Sequence, residues 1–191
     1  MVSNIIRISS RDDRPDRVLD QVERVAAYQR LTGKEALQLR LLAEEMTSMM
    51  RAIVGEVAGE FWIESFGRRY ELHLRVDTGL DLLQREQLLS ASTSGKNEAE
   101  RGFMGKLRAF FAPTEGAPLL YDLGPDANYA NMTWSMRAYE QQVRQMVSQN
   151  RSGAAEAWDE LEKSVVTHVA DDVKVSIRSS VTEMIISKSF A

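Results

Sequence analysis

The sequence predicts a two-layer α/β sandwich, with a mixed, mostly antiparallel sheet covered on one face by helices. Three observations predict it. Strand-like alternation comes in pairs, residues 61–66 with 70–76 and 173–177 with 181–190, each pair joined by a short turn. Two N-terminal segments repeat apolar residues at helical spacing, so each offers one face for burial. Strands and helices do not alternate singly, as a doubly wound nucleotide fold would require.

Residues 4–9 alternate as a first strand, and Arg11, Asp12, Asp13 and Arg14 break it. Pro15 suits the first turn of a helix, where a missing N–H has no partner to lose. Val18, Leu19, Val22, Val25 and Ala26 then repeat at helical spacing to about Leu31. Thr32 and Glu35 have capping-box spacing, so a second helix starts there and runs to about Glu56, with Gly55 and Gly59 marking its end. Phe61, Ile63 and Ser65 alternate with Trp62, Glu64 and Phe66, and Gly67 turns the chain. Tyr70, Leu72, Leu74 and Val76 then point one way, and Glu71, His73, Arg75 and Asp77 the other.

Helical spacing returns over 80–89, succeeded by a small polar run at 90–97 and a helix in the second half of 98–111. Residues 112–131 carry three prolines and two glycines and read as a long loop. A helix starts at Trp134 or Met136 and ends near Val147. After Ser152 and Gly153, the residues Trp158, Leu161, Val165 and Val169 define one more. Val173, Val175 and Ile177, a turn near Ser179 and Ser180, and residues 181–190 close the chain as a second hairpin.

At 191 residues this is one domain, residues 1–191, with an inserted loop–helix region at about 112–153. A chain of this length buries roughly 70% of its unfolded surface and needs neither disulfide nor metal to fold. It has no cysteine, which removes thiolate zinc sites and cysteine nucleophiles together. With only His73 and His168, a histidine-rich metal site is not expected. The net charge of −4 gives no basic footprint for nucleic acid. No leader-like or membrane-spanning run is visible, so the cytoplasm is the expected location and no membrane partner is expected.

The most informative stretch is the second helix. Leu39, Leu42, Met46, Met49, Met50 and Ile53 share one arc of it, with Glu45 at the margin and Glu44 and Arg51 pointing away. A carboxylate beside a core loses hydration and calls for a partner or a function. The structural reading is a carboxylate that reaches solvent or a nearby cation. The functional reading comes from the order of the neighbouring elements, because the helix leads into a hairpin ending in Val76-Asp77-Thr78-Gly79.

This order of elements resembles the GHKL ATPase superfamily, and within it the anti-sigma-factor serine kinases and histidine-kinase-type ATP-binding domains. The family carries Glu-x-x-x-Asn on a long helix; the stretch similar to it is Glu45-Met46-Thr47-Ser48-Met49. The resemblance implies that Glu45 is the catalytic carboxylate of an active member. The family's Asp-x-Gly-x-Gly block, which reads adenine, is matched by Asp77-Thr78-Gly79-Leu80-Asp81. Its glycine-rich lid is matched by Gly95-Lys96-Asn97 and by the run from Gly102 to Gly105 and Lys106. Asp77, Gly79, Gly95, Lys96, Gly102 and Gly105 are thereby implied as contacts for ATP or ADP. Glu45 and Asp77 are expected to border one concave site.

The departures from the family change the expected chemistry. Met49 stands where the family's asparagine holds magnesium, and a thioether is a poor ligand for that hard cation. Asp81 stands where the family keeps a second glycine. Shifting the motif by one pairs Glu44 with Ser48 on the outward face of the helix. The sequence therefore reads as a catalytically degenerate, ATP-binding-like regulatory protein, a pseudoenzyme with nucleotide and a protein as its partners. Two alternatives stay open: a protein-interaction module that binds no nucleotide, and an active protein serine kinase. The sequence does not decide between monomer and homodimer.

Other motifs carry less. Ser92-Thr93-Ser94-Gly95-Lys96 is similar to the end of a P-loop, but the first glycine is missing and Asn97 replaces the magnesium-binding hydroxyl. Lys96, Arg101, Lys106 and Arg108 form a basic cluster that reads as a solvated face or a phosphate contact. Met46, Met49 and Met50 read as core filling. His73 reads as solvated or paired across strands, and Trp134, Tyr139 and Trp158 as anchors for the added helices.

Overall fold

The computed structural model describes residues 1–9, 17–54, 58–77, 131–151, 153–178 and 181–191. The helices expected at 80–89 and 98–111, the polar run between them, the loop at 112–130 and the turn at 179–180 lie outside these residues. The elements are β1 (Ile6–Ser9), α1 (Arg17–Tyr28), α2 (Gly33–Val54), β2 (Ala58–Phe66), β3 (Arg69–Asp77) and β4 (Asn131–Ser135). Beyond them come α3 (Met136–Ser148), α4 (Ala154–Lys163), α5 (Val165–Val169), β5 (Asp172–Arg178) and β6 (Val181–Ser189).

The strands form one six-stranded sheet in the order β1-β2-β3-β6-β5-β4. Both hairpins therefore share a sheet, as expected. Every described pairing is antiparallel, so the parallel component of a mixed sheet is not seen among the described residues. β4 departs from expectation: residues 131–135 lie where the sequence reads as loop and helix start. Trp134 pairs with Val175, which places a short edge strand beside β5. The next helix starts at Met136, the second of the two expected starts.

The pairing register explains the core. Ile6, Phe61, Leu74, Met184, Val175 and Trp134 lie opposite one another in a row that crosses all six strands. Ile63, Leu72, Ile186 and Val173 form the adjacent row. Apart from Ile6, which is partly buried against it, these side chains belong to a core cluster with Val18, Val22 and Val25 of α1, Leu39, Leu42, Met46, Met49 and Met50 of α2, Tyr139 and Val143 of α3, and Leu161 of α4. The helices thus lie on one face of the sheet. Each large side chain buried there contributes roughly 1.5–3 kcal/mol relative to exposure.

Local chemistry sets the boundaries. The Leu31 amide donates to the Ala26 carbonyl (3.0 Å) and the Arg30 amide to Ala27 (3.1 Å), a Schellman ending in which Arg30 takes φ 53°. The Thr32 amide donates to Glu35 Oε2 at 2.8 Å and the Glu35 amide to Thr32 Oγ1 at 3.4 Å, the expected capping box. Glu35 also pairs with Arg68, tying the start of α2 to the turn between β2 and β3. That turn is Gly67-Arg68, with φ 63° at the glycine.

Two expected boundaries move. Gly59 does not end the helix but pairs with Val76 inside β2, which begins at Ala58. The helix expected from Trp158 to Val169 breaks at Ser164, whose ψ of 123° is extended, into α4 and α5. At the start of α3, Ser135 Oγ accepts from the Ala138 amide and donates to Asp172 Oδ1 at 3.2 Å, joining the cap to β5.

Candidate functional site

α2 lies across β3 and β6, and its buried face matches the sequence arc. Leu39, Leu42, Met46 and Met50 are fully buried, and Glu44 faces solvent, where it meets Arg40 at 3.3 Å. Glu45 is half-buried, between the core arc and the polar face. Met49 is 4% exposed and part of the core. Its side chain is committed to packing, with no hard oxygen donor to offer a magnesium ion.

Asp77 is the last residue of β3 and is exposed. Tyr70, Leu72, Leu74 and Val76 are buried under the helices, so Asp77 continues the opposite alternation with Glu71, His73 and Arg75. Glu45 and Asp77 therefore stand on opposite sides of the sheet. The expected convergence of these two carboxylates on one concave site is not what the described residues form. The reason is the period of two along β3, which turns Asp77 away once Val76 enters the core. Gly79, Gly95, Lys96, Gly102 and Gly105 lie outside the described residues, as do Asp81 and the basic cluster around Lys106.

A cleft of about 520 Å³ runs between α3 and α4, lined by Arg144, Val147, Ala155, Trp158, Asp159 and Glu162. The Arg144 guanidinium lies 5.4 Å from the centre of the Trp158 ring, and Trp158 Nε1 donates to Glu162 at 2.7 Å. Neither Glu45 nor Asp77 lines it. Trp134 and Tyr139 are buried with ring centres 6.1 Å apart, which anchors α3 on the sheet as their sequence positions suggest.

A further group of residues comes together only in the folded sheet. On the sheet face away from the helices, Trp62 and His73 are direct cross-strand partners, stacked at 4.7 Å with planes 10° apart. His73 is only 7% exposed, so of the two sequence readings it is the cross-strand-paired histidine and not the solvated one. Glu64 and Glu71 form the next cross-strand pair, and Glu183 approaches from β6. The alternation of residues 60–66 and 70–76 places Trp62, Glu64, Glu71 and His73 on one face, and that is the signal the sequence holds. That β6 would bring Glu183 beside them required the tertiary pairing.

No helix among the described residues is long and apolar enough to cross a membrane. Compared with known proteins, the chain matches no family model, no curated protein and no solved structure.

Proposed function

We propose that this chain is a regulatory protein of the GHKL-like layout that works in the cytoplasm through contact with a protein partner and does not transfer phosphoryl groups. The observation that carries the reading is Met49. At the position where the resemblance calls for a magnesium-holding asparagine, the side chain is 4% exposed and packed in the core. Phosphoryl transfer depends mainly on magnesium and positioned charge, so loss of the protein's magnesium ligand removes a principal element of catalysis. The shared sheet of both hairpins, with α2 laid across it, supports the layout. ATP or ADP on this reading binds without turnover, through Asp77 and the glycine segments beyond it.

The opposite placement of Glu45 and Asp77 favours a second reading, an interaction module that binds no nucleotide. Isothermal titration of the full chain with ATP, with and without magnesium, separates the readings. Binding that is the same with and without magnesium, and that releases no ADP, supports the first. Absence of any binding heat supports the second. Micromolar, magnesium-dependent binding with steady ADP release would overturn both in favour of an active protein kinase.

A further inference from the structure

We infer that a second copy of this chain docks on the helix-free face of the sheet, face to face, about a two-fold axis that runs along the strands between β3 and β6. The face is broad enough for a stable dimer. Six strands spaced about 4.8 Å apart make it roughly 29 Å wide. A seven-residue strand such as β5 makes it about 23 Å tall, so the flat area is about 670 Å². Side chains standing on it raise the accessible area toward the roughly 800 Å² that each partner of a stable interface buries.

The middle of the face is apolar, and its margin holds large apolar side chains in solvent. Trp62 stacks on His73, and His73 pairs across the next ladder with Ile185. Trp62 and Ile185 are half-buried. Phe66, at the end of β2, is 59% exposed, and Val2, which bridges to Glu64, is 60% exposed. Both belong to this face, because alternate residues of a strand and direct cross-strand partners share a side. Apolar surface rimmed by charge is the mark of an interaction site.

Charge selects a second copy as the occupant. On this face β2 offers Glu60 and Glu64, and β5 offers Lys174 and Arg178, both exposed. Asp172, the acid of β5, is 9% exposed and already accepts from Ser135 and from the Arg137 amide. On this face β2 is therefore acidic and β5 basic. The two strands lie equally far from the axis, so rotation lays β2 on β5 of the second copy and β3 on its β6. Sheets packed face to face keep their strands within about 30° of one another, which preserves height along the strands near the axis. Trp62, His73, Ile185 and Lys174 form one level row. The second copy's Lys174 thus reaches the Trp62 ring, between Glu60 and Glu64 on the same side of β2. Arg75 and Glu183 are also level, so Arg75 meets the second copy's Glu183. Each contact is made twice, as an isologous interface requires.

Sedimentation velocity of the full chain over a range of concentrations tests the interface. A species of twice the chain mass should form. Lys174→Glu sets an acid against the second copy's Glu60 and Glu64 and should raise the dissociation constant about 100-fold. Glu64→Lys should raise it about 10-fold, because Glu60 still attracts Lys174. Lys174 is exposed, and Glu64→Lys turns a like-charged cross-strand pair with Glu71 into an opposite one, so both variants should fold. Mixed together, the two variants should form a heterodimer tighter than either variant's own dimer. Within one copy β3 and β6 separate the two positions, so only contact between copies can produce that rescue. Arg24→Glu, on the exposed side of α1, should change nothing. An unaltered chain that is monomeric at every concentration would overturn the proposal, whether or not any variant folds. So would a Lys174→Glu dimer of undiminished strength, or variants that stay apart when mixed. None of these results depends on whether the chain binds nucleotide.

Discussion

Gly59 sits against the backbone of Arg75 across the β2–β3 ladder. A Cβ at Gly59 would collide with the Arg75 carbonyl oxygen and stand 3.0 Å from the Val76 Cα. Backbone in the middle of a paired strand cannot move aside as a flexible side chain can. Gly59→Ala should therefore destabilise the protein by about 1–3 kcal/mol, the usual range for overpacking. Urea unfolding measures it, and an unchanged midpoint would mean that β2 can shift without loss.

Glu35 links the cap of α2 to the first hairpin. The Thr32 backbone N–H, ahead of the Thr32 hydroxyl and Arg68, holds its carboxyl below the ordinary value near 4.5, and partial burial opposes them. A depressed folded value means that this contribution is present above the ordinary value and is lost as pH falls through the lower one. Glu35→Gln should flatten the decline of stability between about pH 5 and about pH 3. The check is the urea midpoint across that range for both proteins.

Tyr70 should set part of the alkaline limit. Burial pushes its phenol above the ordinary 10.0; Arg68 opposes the rise and Glu35 adds to it. The folded state holds this proton more tightly, so stability is intact below the ordinary value and is lost as pH rises through the folded one. Tyr70→Phe should remove that decline, at a cost below about 1.5 kcal/mol near neutral pH for a shape-conserving change. Denaturant midpoints on either side of about pH 10 give the answer.

Placing at position 49 the asparagine that the proposed resemblance calls for should not produce an enzyme. Met49 is 4% exposed within the core, so Met49→Asn removes packing and buries an amide. A loss of about 2–5 kcal/mol is expected. Titration of the variant with ATP should show no gain from magnesium. A stable variant with magnesium-dependent binding would mean that position 49 faces a nucleotide after all.

The sequence by itself determined the parts whose causes are local. Alternation over 70–76 marked β3 and its two faces, the arc from Leu39 to Met50 marked the buried side of α2, and Thr32 with Glu35 marked its start. Each depends on residues a few positions apart, where the period of strand or helix and short hydrogen bonds decide the outcome. Only the tertiary structure decided which face of the sheet the helices cover, and hence that Glu45 and Asp77 do not share one. It also decided that 131–135 become an edge strand, because their pairing with β5 reaches across about 40 residues. The burial of His73 has the same kind of cause. Trp62 and Glu64 come from β2 and Glu183 from β6, a strand more than 100 residues later in the chain, and only the finished sheet brings them to one ring.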